Sequence, residues 1–210
     1  MRVIIEEIEL PSFGGPDVIP EIPAPVYEAR IKRLVERMAE ENYDALAVYA
    51  DREHCANLSW LTGFDPRFEE ALWVLTQDGQ RTLIVGNECS GVLGSVPVRT
   101  KTALCQEFSL TGQDRSISWD LKPLLKRAGL RRGCRCGLVG WKTLLSDRIE
   151  VPAYIAELVA DACGKMPVNA NALLMHPERG LRLFNEPEQI ALYEYAAVKT
   201  SESVLALLRE

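Results

Sequence analysis

The spacing of apolar and polar positions changes several times along the chain, and each change marks an element. Between about Val26 and Asn42, residues Ile31, Leu34, Val35, Met38 and Ala39 recur at helical spacing and form one apolar stripe. Asp44-Ala45-Leu46-Ala47-Val48-Tyr49 follows as an almost continuous apolar run of strand length, the pattern of a strand covered on both faces. His54 to Trp60 predicts a helical turn, ended by Leu61-Thr62-Gly63-Phe64. Ala71 to Leu75 and Thr82 to Val85 read as two strands joined around Gln77-Asp78-Gly79-Gln80, because Asp-Gly between apolar runs is a hairpin signal. Further strands are predicted near Val96 to Arg99 and Ala103 to Phe108. Ser118-Trp119-Asp120 opens a helix that runs through Ala128 and stops at Gly129. Gly137 to Gly140 reads as a buried strand. Val151 to Cys163 reads as a helix with Pro152 in its first turn, where a missing N–H costs little. Val168 to Ala170 is a short strand, followed by a helical turn around Leu173 to Met175.

The two ends behave differently. Val3 to Glu9 reads as a strand or a loosely held arm. Pro11 to Pro25 holds five prolines and the pair Gly14-Gly15, which predicts an extended leader without helix. Asn185-Glu186-Pro187-Glu188 combines an Asn cap, a proline in the first turn and acidic residues at the positive end of a helix. Beyond it, Ile190, Tyr193, Ala197, Val204 and Leu208 share a face. No stop signal precedes Arg209-Glu210, so this helix is expected to run on and the chain to be truncated. Helices alternate with strands around one Asp-Gly hairpin. The expected fold class is therefore α/β, with a mixed β-sheet flanked by helices on both faces.

Composition narrows the function classes. The 210 residues are 47% hydrophobic and 26% charged, the balance of an ordinary globular protein. A net charge of -6 and a pI near 5.2 provide no basic field for nucleic acid or an anionic membrane. The one basic cluster, Lys126-Arg127 with Arg131-Arg132 and Arg135, is broken by Gly129 and Gly133 and reads as a solvated helix end and turn. No apolar run approaches the roughly 18 residues of a membrane span. The opening MRVIIEEIEL places glutamates inside its apolar run, unlike a secretory signal, so a cytoplasmic location is expected.

Candidate chemistry is sparse. Six cysteines, Cys55, Cys89, Cys105, Cys134, Cys136 and Cys163, read as reduced thiols that pack as small apolar groups. Cys134-Arg135-Cys136 has a one-residue gap, and only His54 and His176 could add imidazoles, so a zinc site is not expected. Cys134 and Cys136 are the cysteines near arginines, a neighbourhood that turn residues explain. Phosphate-cradling glycine motifs, His-Glu-x-x-His and Gly-x-Ser-x-Gly are all missing. His54, in Asp51-Arg52-Glu53-His54, reads as a capping or surface histidine rather than a proton carrier or ligand, and His176 reads likewise. Trp60, Trp73, Trp119 and Trp141 read as packing residues, one per element.

Three blocks, in order, resemble the N-terminal domain of creatinase, prolidase and Xaa-Pro aminopeptidases. The first is Arg30 to Val48, a helix followed by Tyr43-Asp44-Ala45-Leu46-Ala47-Val48. The second and most specific is Asn57-Leu58-Ser59-Trp60-Leu61-Thr62-Gly63-Phe64, similar to the family's Asn-x-x-Tyr-Leu-Thr-Gly-Phe, with Trp60 in place of Tyr. The third is Glu186-Pro187-Glu188-Gln189-Ile190-Ala191-Leu192, which resembles the helix linking this domain to the catalytic one. Phe184-Asn185-Glu186 stands where the family has a basic residue, which points to a divergent branch.

The proline-rich leader over 1–25 stands outside the resemblance, which implies a creatinase/prolidase N-terminal-like domain over 26–184 and the start of a linker helix over 185–210. It also implies a non-catalytic domain that helps build a homodimer and shape the substrate pocket. The divalent metal pair (Mn, Zn or Co) would sit in a separate catalytic domain, with no catalytic or metal residue in this chain. The parent's substrate would be an Xaa-Pro peptide or a small guanidino compound such as creatine. By the same resemblance, the loop Asp65-Pro66-Arg67-Phe68-Glu69-Glu70 would reach a neighbouring subunit's active site. There Arg67 would bind a substrate carboxylate and Phe68 would wall the pocket. The competing reading pairs Arg67 with Glu69 or Glu70 as an ordinary exposed loop. The alternative function, from another class, is a free-standing protein-interaction or assembly domain without a hydrolase half. A small self-contained enzyme using His54 or a cysteine ranks last.

Overall fold

The computed structural model describes residues 3, 4, 6–9, 14–118, 120–142 and 147–209. Its first element, α1 (Ala24–Glu40), buries Tyr27, Arg30, Ile31, Leu34 and Met38, the predicted stripe with Arg30 added. The helix starts two residues before Val26. Pro25 therefore lies inside its first turn, where its absent N–H would have had no partner, and the leader is shorter than its prolines suggest. The described residues between 3 and 9 adopt no regular element, so the strand alternative for Val3 to Glu9 is not realised.

β1 (Ala45–Ala50) is buried along its whole length. α2 (Ala56–Thr62) ends at Gly63, whose φ of 71° provides a left-handed cap and whose N–H donates to the Ser59 carbonyl. β2 (Ala71–Thr76) and β3 (Arg81–Val85) form the predicted hairpin, with Gly79 at φ 86° in its turn. α3 (Asn87–Ser90) and β4 (Lys101–Leu104) follow.

The strand predicted at Val96 to Arg99 is absent. Leu93–Ser95 is a 3-10 turn and the chain then runs irregularly past Pro97, which has no N–H to give a ladder. The strand predicted at Ala103 to Phe108 ends at Leu104, and Gln106–Phe108 turns into 3-10 helix. There the Gln106 side chain accepts from the Ile117 and Ser118 N–H groups, and its own N–H donates to the Ser118 carbonyl. Those bonds draw the backbone away from the sheet.

α4 (Leu121–Arg127) is capped by Asp120, whose carboxylate accepts from the Lys122 N–H. Trp119, expected to help open this helix, lies outside the described residues, as does Pro11. β5 (Cys136–Val139), α5 (Ala153–Cys163), β6 (Val168–Asn169) and α6 (Asn171–Met175) complete the α/β part, and α7 (Pro187–Arg209) is the long final helix.

The six strands form one mixed sheet in the order β4-β3-β2-β1-β5-β6. β2 is antiparallel to both of its neighbours and every other adjacent pair is parallel, so β2 alone runs against the rest. Strand pleating sends alternate residues to opposite faces. Ala45, Ala47, Tyr49, Leu72, Val74, Ile84 and Leu138 pack with Leu121, Leu124 and Leu125 of α4 and with Ile155, Val159 and Cys163 of α5. Leu46, Val48, Trp73, Leu75, Leu83 and Val85 point the other way and are equally buried, on the side where α1, α2 and α6 contact one another. The sheet is thus mixed and flanked by helices, as the alternation of elements predicts.

Two compact units result: Ala24–Phe184, and the terminal segments up to Pro23 and from Asn185. Within the second, Gly15 lies against Val198, whose Cγ1 would be 2.6 Å from an added Cβ. Along α7, Ile190, Tyr193, Val204, Leu207 and Leu208 are exposed. Among the described residues no helix is long and apolar enough to cross a membrane.

Candidate functional site at the carboxyl ends of β1 and β5

In open α/β sheets the carboxyl ends of parallel strands are the usual place for ligands. Here β1 leaves the sheet into Asp51 and β5 into Gly140-Trp141. The Asp51 carboxylate accepts from the backbone N–H groups of Glu53 and His54, at 2.9 and 2.8 Å, and folds the polar stretch into a turn. The same carboxylate contacts His54 Nδ1 at 2.9 and 3.1 Å. The imidazole stacks on Trp141 with centroids 4.2 Å apart and planes 23° apart. His54 is therefore a part-buried residue packed on Trp141, and the cap of the turn is Asp51 rather than the histidine.

Asn57, in the second resembling block, organises the base of this end. Its Nδ2 donates to the Gly140 carbonyl at 2.8 Å and its Oδ1 accepts from Arg182 at 2.7 Å. Gly140 N–H in turn donates to Asn171 Oδ1 at 2.7 Å. α2, β5 and α6 are pinned together by these buried bonds.

The loop 65–70 sits beside them. Asp65 accepts from the Arg67 N–H at 2.8 Å, and Arg67 adopts φ 56°, an uncommon left-handed conformation for a residue with a side chain. Phe68 is 58% exposed, with the Arg67 guanidinium 5.6 Å and the Arg52 guanidinium 6.0 Å from its ring centroid. Glu69 and Glu70 do not pair with Arg67. The Glu69 carboxylate is buried and accepts from the Glu88 and Cys89 N–H groups at 3.1 and 2.9 Å. Glu70 Oε1 accepts from Tyr49 at 2.5 Å and Tyr154 at 2.9 Å. Among the described residues no carboxylate forms an ion pair with Arg67. Outward, the loop presents one aromatic ring with the guanidinium of Arg67 beside it, and that of Arg52, which pairs with Glu53, also near, a surface suited to a carboxylate joined to an apolar group.

The structure brings Arg67 and Phe68 together and adds Arg52, which sequence reasoning left in an undifferentiated polar run. It also adds Tyr154 and Trp141, from segments far away along the chain. No local signal marks those contacts. His176 lies elsewhere, at the end of α6, where its Nδ1 accepts from the Glu178 N–H. Among the described residues no group of three or more His, Cys, Asp or Glu side chains is placed to hold a metal ion.

Burial, then the neighbouring Glu70 carboxylate, hold the Tyr49 and Tyr154 hydroxyls protonated well above the usual 10. In the unfolded chain both ionise near pH 10, while in the folded chain they keep their protons. This contribution to stability is thus complete below pH 10 and declines above it. The urea midpoint should fall as pH rises above 10, and Tyr154→Phe should flatten that decline. An equal slope in the variant would remove the assignment.

An α/β domain with a mixed sheet and a cationic, aromatic loop at one end is the class that fold and site define. Residues 30–127 are similar to the Creatinase/Prolidase N-terminal domain family and match its model. Among solved structures, the prolidase from Pyrococcus horikoshii OT3 superposes with a TM-score of 0.56 at 14% identity, over 87% of this chain and 43% of that one. A dipeptidase from the same organism gives 0.52 at 16% identity, over 84% and 44%. The Xaa-Pro dipeptidase from Bacillus anthracis gives 0.52 at 12% identity, over 78% and 38%. At these identities the likeness is one of fold, and the chain spans less than half the length of each of the three proteins. No curated protein matches the chain by sequence.

Proposed function

We propose that the chain is the non-catalytic N-terminal part of a metal-dependent Xaa-Pro aminopeptidase, dipeptidase or creatinase-like hydrolase. In this reading, residues 1–25 are a leader, 26–184 the domain and 185–210 the start of the linker helix. The divalent metal pair and the bond-breaking groups belong to a catalytic domain outside these residues, and the protein works as a cytoplasmic homodimer. Loop 65–70 of one subunit then walls the substrate pocket of the other, with Arg67 holding a carboxylate and Phe68 covering its apolar part. The observation that carries this role is the commitment of Glu69 and Glu70 to Cys89 and Tyr154, which leaves the Arg67 guanidinium without a carboxylate of its own.

The test is Arg67→Ala in the full-length parent. Losing a charge-assisted bond should raise KM for a carboxylate-bearing substrate roughly 10- to 100-fold, with the fold and dimer unchanged. Unaltered kinetics would exclude the pocket role. The exposed apolar residues of α7 support a second reading, an assembly domain without a hydrolase half. Self-association of the 210-residue chain in sedimentation, abolished by Leu207→Glu, would favour it.

A further inference from the structure

Three cysteines that neither the fold nor the loop 65–70 explains meet in one place. Cys134 lies in the turn before β5, Cys136 is the first residue of β5 and Cys163 is the last residue of α5. Gly133 N–H donates to the Cys163 carbonyl at 2.8 Å, which fixes the two backbones side by side. The Cys163 thiol lies close enough to those of Cys134 and Cys136 for each to perturb its ionisation, and all three belong to the same buried cluster. Cys134 also lines a surface cavity of about 450 Å3, together with Asp44, Thr76, Gln80, Gly129 and Arg131 among others. A cavity of this size admits a tripeptide-sized molecule, and its wall carries both a donor and acceptors for one.

We propose that Cys134 and Cys163 form a thiol-exchange site that accepts a low-molecular-weight disulfide through this cavity and closes into an intramolecular bond. The Cys134 sulfur, as thiolate, attacks one sulfur of the incoming disulfide, whose other half leaves as a thiolate and takes up a proton. The Cys163 thiol then gives up its proton and attacks the Cys134 sulfur, expelling the second small thiol. Two cysteine thiols and one disulfide become one protein disulfide and two small thiols, so the electrons balance. The backbone bond between Gly133 and Cys163 holds the two segments side by side, and the direct interaction of the two thiols brings the sulfurs near each other for closure. The hydrogen bond that the Cys134 thiol donates to the Cys163 sulfur, and then burial, hold the Cys134 thiol protonated above its usual range. Exchange is therefore slow at neutral pH and selective for prolonged oxidising conditions. Once formed, the bond ties the entry of β5 to the exit of α5.

The experiment incubates the folded 210-residue chain with oxidised glutathione for a day, then alkylates, measures intact mass and maps peptides. The expected product has lost about 2 Da as a Cys134–Cys163 disulfide, and its Tm is raised by roughly 5–10 °C. Cys136→Ser should give the same product. Cys134→Ser should give none, and Cys134→Ala replaces it if the serine variant fails to fold. Wild-type protein that keeps these thiols free, retains glutathione on Cys134, or links other cysteines instead would overturn the proposal.

Discussion

Gly140→Ala is expected to destabilise the domain by about 3 kcal/mol or more, at the upper end of what overpacking a tight site costs. A Cβ at this position would overlap the carbonyl oxygen of Glu150 and stand 2.9 Å from its carbonyl carbon. Both obstacles are backbone, so no side-chain rotation relieves them. Pushing Gly140 aside also strains its bonds to Asn57 and Asn171, and a buried polar group left without its partner carries its own desolvation cost. Urea denaturation followed by circular dichroism measures the effect. A variant within about 0.5 kcal/mol of wild type, the range of an ordinary surface substitution, would mean that the close approach of the two segments is not real.

Arg30→Ala should cost about 2–4 kcal/mol, from a lost charge-assisted bond, an unsatisfied buried carbonyl and the cavity left behind. The Arg30 side chain is fully buried, donates to the Trp60 carbonyl at 2.8 Å and sits 4.7 Å from the Trp60 ring and 5.2 Å from Tyr27. It joins α1 to the helix that carries Asn57. Its loss leaves a buried carbonyl unsatisfied and a cavity between two aromatic rings. Arg30→Lys should recover only part of the stability, because an ammonium group offers neither the planar fork nor the same stacking. The urea midpoints of the two variants decide this, and full recovery by lysine would show that charge alone suffices.

Arg30 also shows how far a sequence can be read. Its place in the first resembling block was plain, yet on the helical pattern it looked like an ordinary polar residue beside the Ile31 stripe. Its burial follows from the rings of Tyr27 and Trp60, and Trp60 is thirty positions away. The stripe itself, the Asp-Gly hairpin and the capped helices were legible because local spacing and turn chemistry determine them. β4 was misplaced for the opposite reason. Val96-Pro97-Val98 is apolar enough to suggest a strand, while the true edge strand opens with the polar pair Lys101-Thr102. An edge strand with an exposed start carries no apolar period to detect.

In the loop 65–70 it is the pairing of Arg67 with Glu69 or Glu70 that the structure does not form. Glu69 and Glu70 are neighbours of Arg67 in sequence, so pairing with it was the natural alternative. At the entrance to β2, however, successive side chains depart in opposite directions, one to the start of α3 and the next to Tyr49 and Tyr154. Adjacency in sequence says little about contact where a strand begins. Arg52 was missed because its reach over Phe68 depends on the turn that Asp51 builds, which a one-dimensional reading cannot place.

The solitary reversal of β2 has a last consequence. Ala50 pairs with Ala71, so the twenty residues between them leave and rejoin the sheet at one rim. Residues added or removed between Gly63 and Glu69 would reshape that rim without shifting a single rung of the ladder. The segment's length is therefore independent of the sheet's register, and the rim can change shape while the strands keep their pairing.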